Sequence, residues 1–147
     1  MKKRPPLEKI YEAYSAIADG RVLMGEHEAA VRSSDGGGEY RVTWTEDAYA
    51  STDNATYWQG YAGYPVLAVL LLQGRLPLDR TLAGRFAGIR WHELNARHKR
   101  DYAAAAREAM EQNGIPAEEA DTEARRVLSA LEALPVTLGR GRRPGKG

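Results

Sequence analysis

The sequence predicts an α+β fold: a three-stranded antiparallel meander over about 22–51, an N-terminal helix, a buried central helix over about 55–73, and C-terminal helices. Three observations carry this. Leu7, Ile10, Tyr11, Tyr14 and Ile17 recur at helical spacing. Tyr40, Val42 and Trp44 alternate with Glu39, Arg41 and Thr43, the period of a half-buried strand. Val66–Leu72 is apolar at every position, as a helix with neighbours on several sides must be.

The first helix opens behind Pro5 and Pro6 and stops at Gly20, with Glu8, Lys9, Glu12 and Asp19 off its apolar stripe. Asp35-Gly36-Gly37-Gly38 is a hairpin signal, so 26–32 should pair antiparallel with 39–45. Thr45-Glu46-Asp47 turns the chain into a third strand, Ala48–Ser51. Tyr40, Trp44 and Tyr49 should face helices. Ser51-Thr52-Asp53-Asn54 then offers caps for the central helix. Tyr57, Tyr61, Tyr64, Ala68 and Leu72 form its stripe. Pro65 either kinks that helix or starts a new one, and a single kinked helix is expected.

Beyond Gly74, Asp79 caps a short helix over 80–86, Gly88-Ile89 breaks it, and 91–98 is a second. Tyr102–Asn113 is Ala-rich and helical to Gly114, and Pro116 opens a last helix that Pro135 ends. A length of 147 residues suits one domain over 7–138, between a flexible basic N-terminus (1–6) and a disordered basic, Gly-rich tail (139–147).

Absent features narrow the function. With no cysteine, disulfides, thiolate metal sites and Cys nucleophiles are excluded. The longest apolar run is seven residues, Val66–Leu72, against about 20 for a bilayer span, and no apolar segment follows the basic start. No phosphate-loop, dinucleotide, nucleophile-elbow or metalloprotease motif occurs. Arg outnumbers Lys 16 to 5, which reads as the coding bias of a GC-rich genome. The expectation is a cytoplasmic protein of prokaryotic type, with no membrane partner, metal or cofactor.

A net charge of +1 conceals segregation: residues 1–6 carry +3, 139–147 carry +4, and the body between carries −6. Within that body, residues 75–100 hold Arg75, Arg80, Arg85, Arg90, Arg97, Lys99 and Arg100 against Asp79 and Glu93, a sum of +5. Such an island attracts phosphate backbones or an acidic partner. The spacing of Gly84, Gly88, Ile89 and Leu94 resembles a helix-turn-helix, with Arg97 where that pattern needs an apolar residue. Arg85, Arg90, His92, Asn95, Arg97, Lys99 and Arg100 are the nucleic-acid candidates. The alternative is a solvated basic face against the protein's own acidic helices.

A second candidate group is Tyr57, Trp58, Tyr61 and Tyr64, with Asp53 and Gln59. These could line a ligand pocket, pack in the core, or form a dimer seam. His92 and His98, six apart, fall on different sides of one helix and cannot chelate together. Three functions follow. The first is a non-enzymatic binding or assembly module that self-associates, as a homodimer, through the aromatic helix or a sheet edge. The second is a nucleic-acid binder using 75–100 and the basic tails. The third is a small enzyme with its pocket at Tyr57–Tyr64 and acid–base groups among His27, Asp53 and His92.

Overall fold

The first apolar stripe folds as helix α1 (Glu8–Ala18) in the computed structural model, which describes residues 3–142. Burial on α1 is wider than the stripe: Glu12, Ala13, Ser15 and Ala16 are buried beside Ile10, Tyr11 and Tyr14. The small residues let neighbouring elements approach closely there. Phe86 stacks on Tyr11 at 5.3 Å between centroids and tilts against Tyr14 at 5.6 Å. Ser15 Oγ donates to Phe86 O (2.6 Å) and accepts from Trp91 Nε1 (2.7 Å). Ser15→Ala strands both buried partners and is expected to cost about 2 kcal/mol. Urea denaturation checks this as a lower midpoint with an unchanged slope.

An open five-stranded sheet forms one layer. It comprises β1 (Val22–Met24), β2 (Glu28–Arg32), β3 (Glu39–Thr45), β4 (Ala48–Ser51) and β5 (Thr137–Arg140), in that spatial order. The first four are antiparallel, with Glu28 opposite Thr43, Arg32 opposite Glu39, and Trp44 opposite Tyr49. The expected pairing of 26–32 with 39–45 is present, but three strands become five. Val22-Leu23-Met24 has no alternation to mark it as a strand. Strand β5 is too short and Gly-containing to show, and it lies parallel to β4 from about ninety positions away. It includes Gly139 and Arg140, so strand pairing runs past the expected boundary at residue 138. Of the expected N-terminal arm, Lys3 bridges to Tyr61 and Arg4 pairs with Glu132. Residues 1–2 and 143–147 lie outside the described residues.

The expected continuous helix over 55–73 is replaced by two pieces. Ala55–Gln59 forms one π-helical turn that ends on Gly60 at φ 78°. Helix α2 (Tyr64–Leu72) begins afresh after Gly63, with Pro65 in its first turn, where a missing N–H is harmless. Thr56 ties off the interruption: its Oγ1 donates to Tyr61 O (3.0 Å) and accepts from Gly63 N (3.1 Å). Two glycines within four residues remove the helix propensity that could have carried the chain through. The predicted stripe from Tyr57 to Leu72 is therefore broken at Gly60. Pro65–Leu71 are buried on every side, and α2 contacts α1 as well as β1, β3 and β4.

The remaining helices are α3 (Arg80–Gly84), α4 (Trp91–Arg97), α5 (Tyr102–Gln112) and α6 (Ala117–Ala133). Asp79 and Asp101 cap α3 and α5 by accepting from Leu82 N and Ala104 N. Helices α3 and α4 each end short of the expected 86 and 98. No helix among the described residues is long and apolar enough to cross a membrane.

Candidate functional site

A cleft of about 850 Å³ opens where α1, the β2–β3 hairpin, the segment 53–64, α4 and the start of α5 meet. Its polar centre comes from α1. Lys9 and Glu12, three residues apart, pair at 3.6 Å with side chains only 13% and 9% exposed. Burial pushes the Glu12 carboxyl above the usual carboxylate range, against the opposing pull of Lys9 and of a hydrogen bond from Asn95. Burial also works against charge on Lys9, but Glu12, Tyr102 and Tyr61 outweigh it and hold the ammonium above its usual value. The ammonium lies 4.5 Å from the centroid of the Tyr102 ring. Asn95 Oδ1, on the opposite wall, is buried and has no hydrogen-bond partner among the described residues.

Aromatic side chains line the walls: Tyr40, Trp58, Tyr61, Tyr64, Trp91 and Tyr102. Tyr40 meets Tyr64 edge-on at 6.1 Å. Burial raises the hydroxyls of Tyr40, Tyr61 and Tyr64, so all three are hydrogen-bond donors at neutral pH. Trp58 is 59% exposed at the rim. Asp53 is buried and already occupied, accepting from Ser51 Oγ and from Thr56 N at 3.1 Å. It caps the π-helical turn rather than offering a free carboxylate.

The two groups of residues singled out in the sequence partly converge. Asp53, Trp58, Gln59, Tyr61 and Tyr64 line the cleft, and so do His92, Asn95 and Arg100 from the basic segment. Tyr57 does not; its ring packs on Trp58 at 4.8 Å and lies 5.2 Å from the Arg140 guanidinium. Arg85, Arg90, Arg97 and Lys99 lie outside the lining. Several cations of the island meet the chain's own acceptors. Arg75 binds Asp47 (2.6 Å), Arg85 donates to Gly114 O (2.6 Å), Arg90 pairs with Glu93 (3.7 Å), and Arg97 pairs with Glu108. His27 sits on an exposed turn between β1 and β2, away from the cleft. Among the described residues, no three His, Asp or Glu side chains are grouped to hold a metal ion.

The sequence pattern puts Glu12 and Lys9 off the apolar stripe of α1, and the structure makes them the centre of the cleft. The available signal was the small residues Ala13, Ser15 and Ala16 around Glu12, which widen the buried arc beyond the apolar stripe.

A family model described as "Uncharacterised conserved protein UCP014422" matches residues 2–137. No curated protein and no solved structure matches the chain.

Proposed function

We propose that this chain, which belongs to the UCP014422 family of uncharacterised conserved proteins, is a binding module that holds a small polar molecule with a planar group in the cleft. The observation behind this is a convergence. Segments separated by up to about ninety positions bring a buried Lys9–Glu12 pair, an unpartnered Asn95 Oδ1 and six aromatic side chains to one concave surface. Clefts of this volume with a few oriented polar groups among aromatic walls are typical small-molecule sites. A buried acceptor without a partner favours a ligand that donates a hydrogen bond, because leaving it unmade costs about 1–3 kcal/mol.

The test is a nuclear magnetic resonance screen of small aromatic amides, alcohols and acids against the full chain. Hits are expected to move backbone signals of 53–64 and 91–102 together, and to lose affinity at least tenfold in Tyr61→Ala. Hits that leave those two segments unmoved, or an empty screen, overturn the reading.

Two further readings each have an observation behind them. Glu12, a desolvated carboxyl at a cleft wall, is the kind of group general acid–base chemistry uses, which favours a small enzyme. Self-association draws support from β1, an edge strand on which Leu23 and Met24 are 73% and 42% exposed. Sedimentation equilibrium of wild type against Leu23→Lys separates that surface from the cleft. A monomer at high micromolar concentration removes self-association and leaves ligand binding standing.

A further inference from the structure

Among the described residues, four helices end in the same backbone motif, and one of them uses a residue ill suited to it. In each, the second and third residues past the helix donate back across the last turn: Gly20 and Arg21 to Ile17 O and Ala16 O, Gly74 and Arg75 to Leu71 O and Leu70 O, Gly114 and Ile115 to Glu111 O and Met110 O. The residue that must turn left-handed is glycine in these three, with φ of 66°, 77° and 64°. At the end of α4 the same bonds run from Lys99 to Ala96 O and from Arg100 to Asn95 O. Here the turning residue is Lys99 at φ 53°, and Arg100 follows at φ 67°. Side chains are disfavoured in this region, which glycine occupies freely. Two consecutive non-glycine residues there are a local sacrifice of stability, and the place it is made adjoins the cleft.

The reversal directs successive residues apart: Lys99 is outside the cleft lining, whereas Arg100 and Tyr102 belong to it. The other cations of the lining are committed. Lys9 pairs with Glu12, and Arg21 pairs with Asp19 and donates to Arg32 O at 2.7 Å. The Arg100 guanidinium is exposed and makes no hydrogen bond or ion pair among the described residues. The carboxylates that share the cleft are likewise occupied, Glu12 by Lys9 and Asp53 by Ser51 and Thr56. An uncommitted guanidinium at the cleft matches a carboxylate or phosphate through paired N–H donors.

Resting on the reading of the cleft as a binding site, we infer that Arg100 anchors the carboxylate or phosphate group of an anionic ligand. The same ligand carries an N–H or O–H that satisfies Asn95 Oδ1. Asn95 and Arg100 are already coupled through the main chain, since the Arg100 backbone N–H donates to the Asn95 backbone carbonyl.

4-Hydroxybenzoate, 4-hydroxybenzyl alcohol and inorganic phosphate are the probes, titrated at constant ionic strength and read by the indole signals of Trp58 and Trp91. Both aromatic probes carry the O–H donor, and 4-hydroxybenzoate is expected to bind at least tenfold more tightly than 4-hydroxybenzyl alcohol. Arg100→Gly should abolish that difference while raising Tm by about 3 °C, because glycine relieves the left-handed backbone. A variant that is more stable yet blind to the anion cannot be dismissed as misfolded. Phosphate that displaces 4-hydroxybenzoate identifies phosphate as a competent anion, and phosphate that does not confines the site to carboxylates; both support the anchor. Equal binding of 4-hydroxybenzoate and 4-hydroxybenzyl alcohol, or a 4-hydroxybenzoate advantage that survives Arg100→Gly, overturns the anchor and leaves the cleft standing. Wild-type Trp58 and Trp91 signals that respond to none of the probes overturn the cleft and the anchor together.

Discussion

Lys9→Met is expected to destabilise the fold by about 4 kcal/mol, the largest effect of any single change at the cleft. The reason is the partner it leaves behind. Glu12 is 9% exposed in its side chain, and Lys9, with help from Asn95, favours its charged form against burial. Removing one member of a buried ion pair typically costs 3–5 kcal/mol, because the remaining charge is uncompensated. The double variant Lys9→Met with Glu12→Leu should recover most of the loss, since an apolar pair of similar size avoids the desolvation of both ions. The pH dependence carries an independent sign. Glu12 holds its proton in the folded state to a higher pH than in the unfolded chain. The folded state therefore binds more protons over that window, and stability falls as pH rises from the ordinary glutamate value through the raised one. In Lys9→Met the window should widen upward, and in the double variant Glu12's contribution should vanish. Urea midpoints from pH 4 to pH 8 check all three. A single variant as stable as wild type at pH 8 would contradict the burial of the pair.

Gly63→Ala should cost about 3 kcal/mol, near the top of the usual range for overpacking. Gly63 has an ordinary φ of −74°, so the objection is spatial rather than conformational. A Cβ there would stand 2.9 Å from Asp53 Cγ and overlap its Oδ2, with Ala55 Cβ at 3.1 Å. Asp53 cannot retreat without releasing Ser51 Oγ and Thr56 N, which fix the π-helical turn. The damage should therefore reach the aromatic wall, displacing Trp58 and Tyr61. Combining Gly63→Ala with Asp53→Ala should be strongly non-additive, the glycine substitution costing under about 1 kcal/mol once the carboxylate is gone. Additive losses would show that Asp53 is not what reserves the space.

Parts of this architecture were plain in the residue pattern, because they depend on local periodicity. The α1 stripe, the β3 alternation, the hairpin before it and the proline-opened α6 each follow from a few neighbouring side chains. The interruption at 60–63 was half legible. Gly60, Gly63 and Pro65 announced a break, but the choice between a kink and a restart lay with Thr56 and Asp53, whose bonds close the loop between the two helices. For the cleft, the tyrosines of 57–64 and the island of 75–100 each stood out separately. Nothing in their spacing indicated that Tyr61 and Arg100 would line one surface. Charge was the least legible property. The island holds +5 in sequence, yet Asp47, Glu93, Glu108 and the Gly114 carbonyl answer much of it locally.

Sequence alone determined the α+β class, the antiparallel pairing around the Gly-rich turn and the deep burial of Val66–Leu71. Apolar residues at a fixed period must find cover, and the period names the element. Tertiary structure alone decided the parallel strand β5, the burial of Glu12 with Lys9, and the meeting of Asn95 and Arg100 with the aromatic wall. Those outcomes depend on which distant segments come to share a boundary. A carboxylate one position off an apolar stripe is solvated or buried according to the neighbour that packs over it, and no local pattern records that neighbour.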